Sequence, residues 1–179
     1  MTWNLDLSHS EVTFAVKHMM ISTVRGKFNT FSGTIDFNEA DPANSAIDVS
    51  IDVASVDTRD EKRDGHLKSG DFFDVAQFPA MTFKSTKVEK LSETTAKVTG
   101  DLTIRGVSRP VVLDVTYAGQ AKSPWGTVSA GFSATTRVNR KDWGLTWNVA
   151  LETGGVLVGE DVTIAIEAEL VKQPETQNA

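Results

Sequence analysis

The chain has 179 residues, 40% hydrophobic and 23% charged, the proportions of an ordinary soluble globular domain. A net charge of −6 with no basic run argues against nucleic acid, whose phosphates need clustered Lys and Arg. There is no cysteine, which excludes disulfide scaffolds, thiolate metal sites and thiol chemistry.

The first segment, MTWNLDLSHSEVTF, has no basic start, no apolar core of signal-peptide length and no small-residue cleavage site. No run approaches the roughly 20 apolar residues that cross a bilayer as a helix. The expectation is a cytoplasmic protein, with a leader already removed as the alternative. Beyond this point the dominant period is two. Val12, Phe14 and Val16 alternate with polar neighbours, and a strand is read around GKFNTFSGTIDF. The same alternation recurs through Ile47–Val53, Met81 and Phe83, Val98–Ile104, Val111–Tyr117, Val128–Ala134 and Val162–Leu170. Each run reads as an antiparallel strand with one dry and one wet face. Turn signals fall between them at NEADPANS (38–45), RGVSRP (105–110) and AGQAKSPWG (118–126). The fold class is all-β, about eight strands in an up-and-down barrel, because closure removes exposed sheet edges. A β-sandwich is the alternative. One domain is expected over residues 5–171, with a polar tail over 172–179.

One stretch breaks the pattern. ASVDTRDEKRDGHLKSGDFFD, residues 54–74, is dense in charge. Asp57 or Thr58 is a candidate cap for a short helix near residues 58–68, with Arg59–Leu67 as its two turns and Gly70 as its stop. Phe72, Phe73 and Phe78 follow. A charged helix trailed by three phenylalanines reads as a lid over a barrel end.

Catalytic signatures are absent from the sequence: no G-x-S-x-G, no H-E-x-x-H and no phosphate-binding glycine loop. The three histidines, His9, His18 and His66, lack metal-ligand spacing, so neither a metal nor a catalytic group is expected. His18 continues the inward parity of Val12, Phe14 and Val16. It is set either to meet a ligand's polar head or to satisfy a local carbonyl. Arg63 and His66 share a helix face, as an anion clamp or in surface pairing with Asp60 or Asp64. RVNRKDWGLTWNV, residues 137–149, places Arg140 and Asp142 beside Trp143 and Trp147. These four order a loop or line a cavity mouth. The inward positions Phe14, Val16, Phe37, Val49, Ile51, Phe83, Leu102, Leu113, Phe132 and Ile164 line either a packed core or a tube.

Four runs carry a specific resemblance: HSEVTFAVKHMMISTVRGKFNTFSGTIDF, SIDVASVDTRDEKRDGHLKSGDFFDVAQFPAMTFKS, VTGDLTIRGVSRPVVLDV and GFSATTRVNRKDWGL. They resemble the YceI-like family of polyisoprenoid-binding, lipocalin-like proteins, across Leu5–Leu170. The resemblance implies an extended eight-stranded barrel, an elongated apolar pocket and binding of an isoprenoid or comparable amphiphile such as a quinone or fatty amide, without established catalysis. It places His18, Arg25, Arg63, Asp64, His66, Arg140, Asp142 and Gly144 at motif positions. Many members carry an export signal, and none is read at this N-terminus. The expected function is therefore non-enzymatic storage or transport of a long-chain lipid. No cofactor other than that lipid and no nucleic-acid partner is expected, and a homodimer is left open. The head-group candidates are His18, Arg63, His66 and Arg140. The lid and rim candidates are Phe72, Phe73, Phe78, Trp143 and Trp147. The alternatives are an enzyme using His18 or His66 as general base, and a stress-associated protein with a packed barrel and no ligand.

Overall fold

Period-two alternation becomes antiparallel strand wherever it occurs. The computed structural model describes residues 3–172, and in them the chain forms eleven strands and one α-helix. The strands are β1 (Trp3–Leu5), β2 (Glu11–His18), β3 (Ser22–Phe28), β4 (Phe31–Asp36), β5 (Ala46–Asp52), β6 (Val56–Asp57), β7 (Ala80–Lys90), β8 (Thr95–Ile104), β9 (Val107–Lys122), β10 (Val128–Asn139) and β11 (Val158–Lys172). The helix α1 (Glu61–Lys68) lies between β6 and β7. Hydrogen bonding runs β4-β5-β7-β8-β9-β10-β11-β2-β3-β6, and β1 joins β11.

The expected count of eight and the observed count of eleven describe the same ring. Three walls are interrupted strands. Between β3 and β4 lie only Asn29 and Thr30, and the ladder carries on across them: Asn29 N–H donates to Ser55 O at 3.2 Å and Asp52 N–H to Thr30 O at 3.0 Å. Opposite them β5 and β6 are split by the turn Val53–Ser55. β1 and β2 are split by the turn Leu7–His9, yet both pair with β11, β1 at Leu170 to Lys172 and β2 at Val158 to Glu167. Since β3 pairs β2 and β6 while β4 pairs β5, the merged walls close on themselves.

Two turns are tighter than the sequence suggests. RGVSRP bends only at Arg105 and Gly106, both at positive φ (51° and 73°), a two-residue hairpin that leaves Val107 onward free to pair. In AGQAKSPWG the residues up to Lys122 belong to β9, held by pairing with β10. The helix also begins later than expected. Its cap is Asp60, whose carboxylate accepts from Arg63 N–H at 3.1 Å, and Ser69 closes it ahead of Gly70. Asp57 instead binds Arg59 N–H at 2.9 Å, and the Thr58 hydroxyl is committed to Asp64 at 2.6 Å. Lys172, counted with the tail, is the last residue of β11 and stands over the Trp3 ring at 5.4 Å. The rest of the expected tail lies outside the described residues.

Apolar faces meet in two clusters. The larger spans the middle of the barrel and the α1 end. The smaller, at the other end, holds Trp3, Ala130 and Leu170 with Leu5, Ile35, Phe37, Tyr117, Val128 and Phe132 around them. Leu170 is fully buried there. Leu170→Ala should lower unfolding free energy by about 2–5 kcal/mol, as deleting buried methyls from a packed site does. A urea titration showing less than about 1 kcal/mol lost would mean this end is not packed as described.

Candidate functional site

Between the two ends the inner faces stand apart and leave a cavity of about 500 Å³. That lies within the range of small-molecule sites in proteins. Eight of the ten positions expected to line it do so: Phe14, Val16, Val49, Ile51, Phe83, Leu102, Leu113 and Ile164. Phe37 and Phe132 do not. They pack edge to face at 5.1 Å in the smaller cluster, with Tyr117 beside both and Trp3 against Phe37. Alternation gave the side on which each residue stands, but not its height along the barrel axis.

Two glycines hold the cavity open. Phe14 lies across Gly26, its cross-strand partner on β3, so closely that a Cβ there would collide with the ring. Phe83 lies in the same way across Gly100. The missing Cβ at each glycine makes room for the ring beside it. Phe28 follows Val24 and Gly26 in the same parity and also lines the space. It was legible from that alternation, although the sequence reading did not single it out.

Charged and aromatic groups close one end. Arg63 on α1 donates from Nε to the Thr58 hydroxyl at 2.8 Å and from Nη2 to the Thr58 carbonyl at 2.7 Å. Asp64 accepts from Thr58 N–H at 2.9 Å. Thr58 is thereby a buried knot that ties the helix to β6. Nothing in the sequence marked it. His66 pairs neither with Asp60 nor with Asp64. Its Nε2 meets Asp71 at 2.9 Å, and its ring stands edge-on to Trp147 at 4.5 Å and to Phe72 at 5.0 Å. Of the phenylalanines expected to form a lid, Phe72 and Phe73 line the cavity. Phe78 does not. It packs beneath the Gly106 hairpin, outside the lining.

Arg140 is buried at 6% exposure and lines the same end. Arg140 and Asp142, near neighbours of opposite charge, form no ion pair. The guanidinium instead donates to three backbone carbonyls, Leu145 at 2.6 Å, Gly159 at 2.8 Å and Val158 at 3.3 Å, and lies 5.8 Å from the Phe72 ring centre. Burial pushes its pKa down, opposed by the charge of Glu160. Trp143, expected at a rim, is buried, with its indole N–H donating to Leu102 O at 2.9 Å. Trp147 is half-buried on the lining. His18 is paired with Val158 across the β2–β11 ladder, which puts it beside Arg140. The hydroxyl of Ser22 and the N–H of Ile21 donate to its carbonyl, and its side chain lines the cavity. His9 is remote from this end. It bonds Asp6 at 2.7 Å, and hydrogen bonds from Ser8 and His9 hold the Asp6 carboxyl down at about 2.

The family pattern described as the YceI-like domain matches residues 3–170. This chain belongs to the YceI-like family. A UPF0312 protein of Staphylococcus aureus is 38% identical over 168 residues, covering 93% of this chain and 95% of that one. Another, of Vibrio parahaemolyticus, is 40% identical over 136 residues, 76% of this chain and 72% of its own. Among solved structures, a Campylobacter jejuni YceI protein is 38% identical with a TM-score of 0.75, covering 88% of this chain and 90% of its own. BcnA of Burkholderia cenocepacia shows 27% identity and a TM-score of 0.78, covering 95% and 100%. A domain of Saccharophagus degradans described as polyisoprenoid-binding and implicated in plant cell wall breakdown shares the fold at 14% identity, with a TM-score of 0.68 over 97% and 99%.

In this YceI-like barrel, then, Arg140 is a positioning residue that joins the loop after β10 to the start of β11. Arg140→Leu removes the side-chain donor from the Leu145 and Gly159 carbonyls, while Val158 O keeps Asn148 Nδ2 at 2.7 Å, and should cost at least about 2 kcal/mol. Arg140→Lys keeps a charge but has no fork to span three acceptors, and should fall between the two. Equal midpoints for parent and Arg140→Leu in chemical denaturation would remove this role.

Proposed function

We propose that this protein binds one long apolar chain inside the barrel and stores or carries it without chemically altering it. The ligand class is an isoprenoid lipid, or an amphiphile of similar shape such as a quinone or fatty amide. The observation that carries the reading is the asymmetry of the cavity. Its walls are aliphatic and aromatic, one end is closed by an aromatic cluster, and every charged lining group lies in or beside the segments at the α1 end, at the tip of β2, on α1 and after β10. Such a space suits a tail inserted deep and a head held at the helix.

Each methylene taken out of water contributes about 0.8 kcal/mol at most. Ordering a flexible chain opposes much of that sum. An apolar tube has no directional contacts, so chain type is weakly discriminated and the polar end sets preference. The Saccharophagus degradans domain of the same fold, a polyisoprenoid-binding one, is in keeping with this class of ligand.

Native mass spectrometry of protein taken from cells should show a lipid adduct. The delipidated protein should then gain several degrees of melting temperature with a long prenol. Protein that is always empty, and indifferent to prenols, quinones and fatty amides alike, would sink the proposal. Val49→Trp places a large side chain in the lumen. It should weaken prenol binding at least tenfold, with little change in melting temperature. Leu67→Asp, on the inner side of α1, should raise the ligand's off-rate more than it lowers stability. Parallel losses of retention and stability would show that α1 is not a lid.

A further inference from the structure

The titratable residues along the cavity lining are Lys17, His18, Lys62, Arg63, His66 and Arg140, every one basic, with Lys17 and Lys62 exposed at its edge. The chain as a whole leans the other way, with 24 acidic residues against 18 Lys and Arg. Surface charge scattered at random over an acidic protein does not produce a lining of this kind. The carboxylates nearby are drawn away from the lumen. Asp64 is turned onto Thr58, and Asp71 meets His66 while itself half exposed. Glu160 is paired with Lys141 at 3.0 Å.

Two of the cations are incompletely compensated. Arg140 is buried, and its three hydrogen bonds all go to neutral carbonyls. Neutral dipoles orient a guanidinium but do not cancel its charge. Arg63 uses Nε and Nη2 on Thr58, and a guanidinium has five N–H donors. His18 lies beside Arg140, and His66 shares the Phe72 ring with it. Positive charge thus converges where the apolar tube ends, next to low-dielectric walls that strengthen its field.

We infer that the ligand's head group is anionic, a carboxylate or a phosphate on a long apolar chain, held by the basic residues at the α1 end. This rests on the lipid-binding reading and narrows it. A neutral alcohol or amide of the same length would fill the tube equally well and leave Arg63 and Arg140 without a directly bonded counter-charge. A negative head replaces lost hydration with charge-assisted hydrogen bonds, which are about twice as strong as neutral ones.

The test uses delipidated full-length protein and four sixteen-carbon probes that share one tail: hexadecanol, palmitamide, palmitate and hexadecyl phosphate. Quenching of tryptophan fluorescence reports binding, since Trp147 is on the lining. Palmitate or hexadecyl phosphate, or both, should bind at least tenfold more tightly than the two neutral probes. The tighter of the two then identifies the head as carboxylate or phosphate. In Lys62→Gln/Arg63→Gln the ratio of anionic to neutral affinity should fall at least threefold. In Lys87→Gln, a surface change on β7 outside the lining, the ratio should stay as in the parent.

Equal affinity for all four probes in the parent overturns the inference and leaves the lipid-binding reading intact. So does a ratio unmoved by the double variant, provided its far-ultraviolet dichroism matches the parent. If none of the four probes binds, this inference falls, and the lipid-binding reading falls with it only where prenols and quinones fail to bind as well. The parent's ratio alone decides the matter where the double variant does not fold.

Discussion

Everything in this barrel depends on its inner faces standing too far apart for their own side chains to fill the space between. A sheet closed through eight walls has its radius set by strand number and tilt, not by the size of the residues it encloses. Side chains then decide how much of the interior stays empty. Here they decide differently along the axis. At one end Trp3, Phe37, Tyr117 and Phe132 interlock and fill it. In the middle Phe14 and Phe83 press against Gly26 and Gly100, and a cavity of about 500 Å³ remains. A glycine inside a strand normally weakens it. In these two places the loss is the condition for an aromatic wall that does not close the lumen.

The broken walls follow from the same closure. A strand that bends sharply round a barrel shifts or interrupts its ladder, as the register shift between β9 and β10 at Gly131 and Phe132 also shows. The chain bends at Asn29 and Thr30 on one wall and at Val53–Ser55 on the wall opposite. The backbone bonds between Asn29 and Ser55 and between Asp52 and Thr30 cross both bends, so neither wall detaches. The third interruption, Leu7–His9, lets β1 follow β11 beyond the reach of β2 and brings Trp3 into the aromatic end.

The sequence made the strands legible because burial on one face imposes period two on the residues themselves. It made the sidedness of Phe14, Phe83 and Ile164 legible for the same reason. It could not give height along the axis, which depends on how neighbouring strands are staggered. Phe37 and Phe132 have the right parity and still belong to the plug. Local hydrogen-bond competition was equally hidden. Asp57, Thr58 and Asp60 are all plausible caps by residue type. Only the fold shows Thr58 drawn inward to Asp64 and Arg63, leaving Asp60 for the helix. Arg140 and Asp142 are two apart in sequence and opposite in charge, which suggests a pair. Burial beside three carbonyls binds Arg140 elsewhere, because a guanidinium fork matches several acceptors at once. Phe78 was counted with Phe72 and Phe73 from proximity, but the turn after Phe73 carries it to the underside of another hairpin.

The two ends are also unequal in what opening them would disrupt. Parting the aromatic end means separating four rings, together with Leu170 and Ala130, which are both wholly shielded from solvent. It also means releasing β1 from its ladder with β11. Parting the α1 end breaks no strand pairing. The helix is eight residues long and buries none of them fully, and its attachments include the Thr58 knot, the packing of Leu67 on the core and the contacts of His66 and Phe72 with Trp147. Segments with few buried apolar groups lie at the low end of local opening energies. The same end carries the basic groups. The proposed entry and the proposed head-group contact therefore fall at one place for one reason. A charged helix cannot bury itself in an apolar core, so it covers the tube from outside and leaves its cations at the opening.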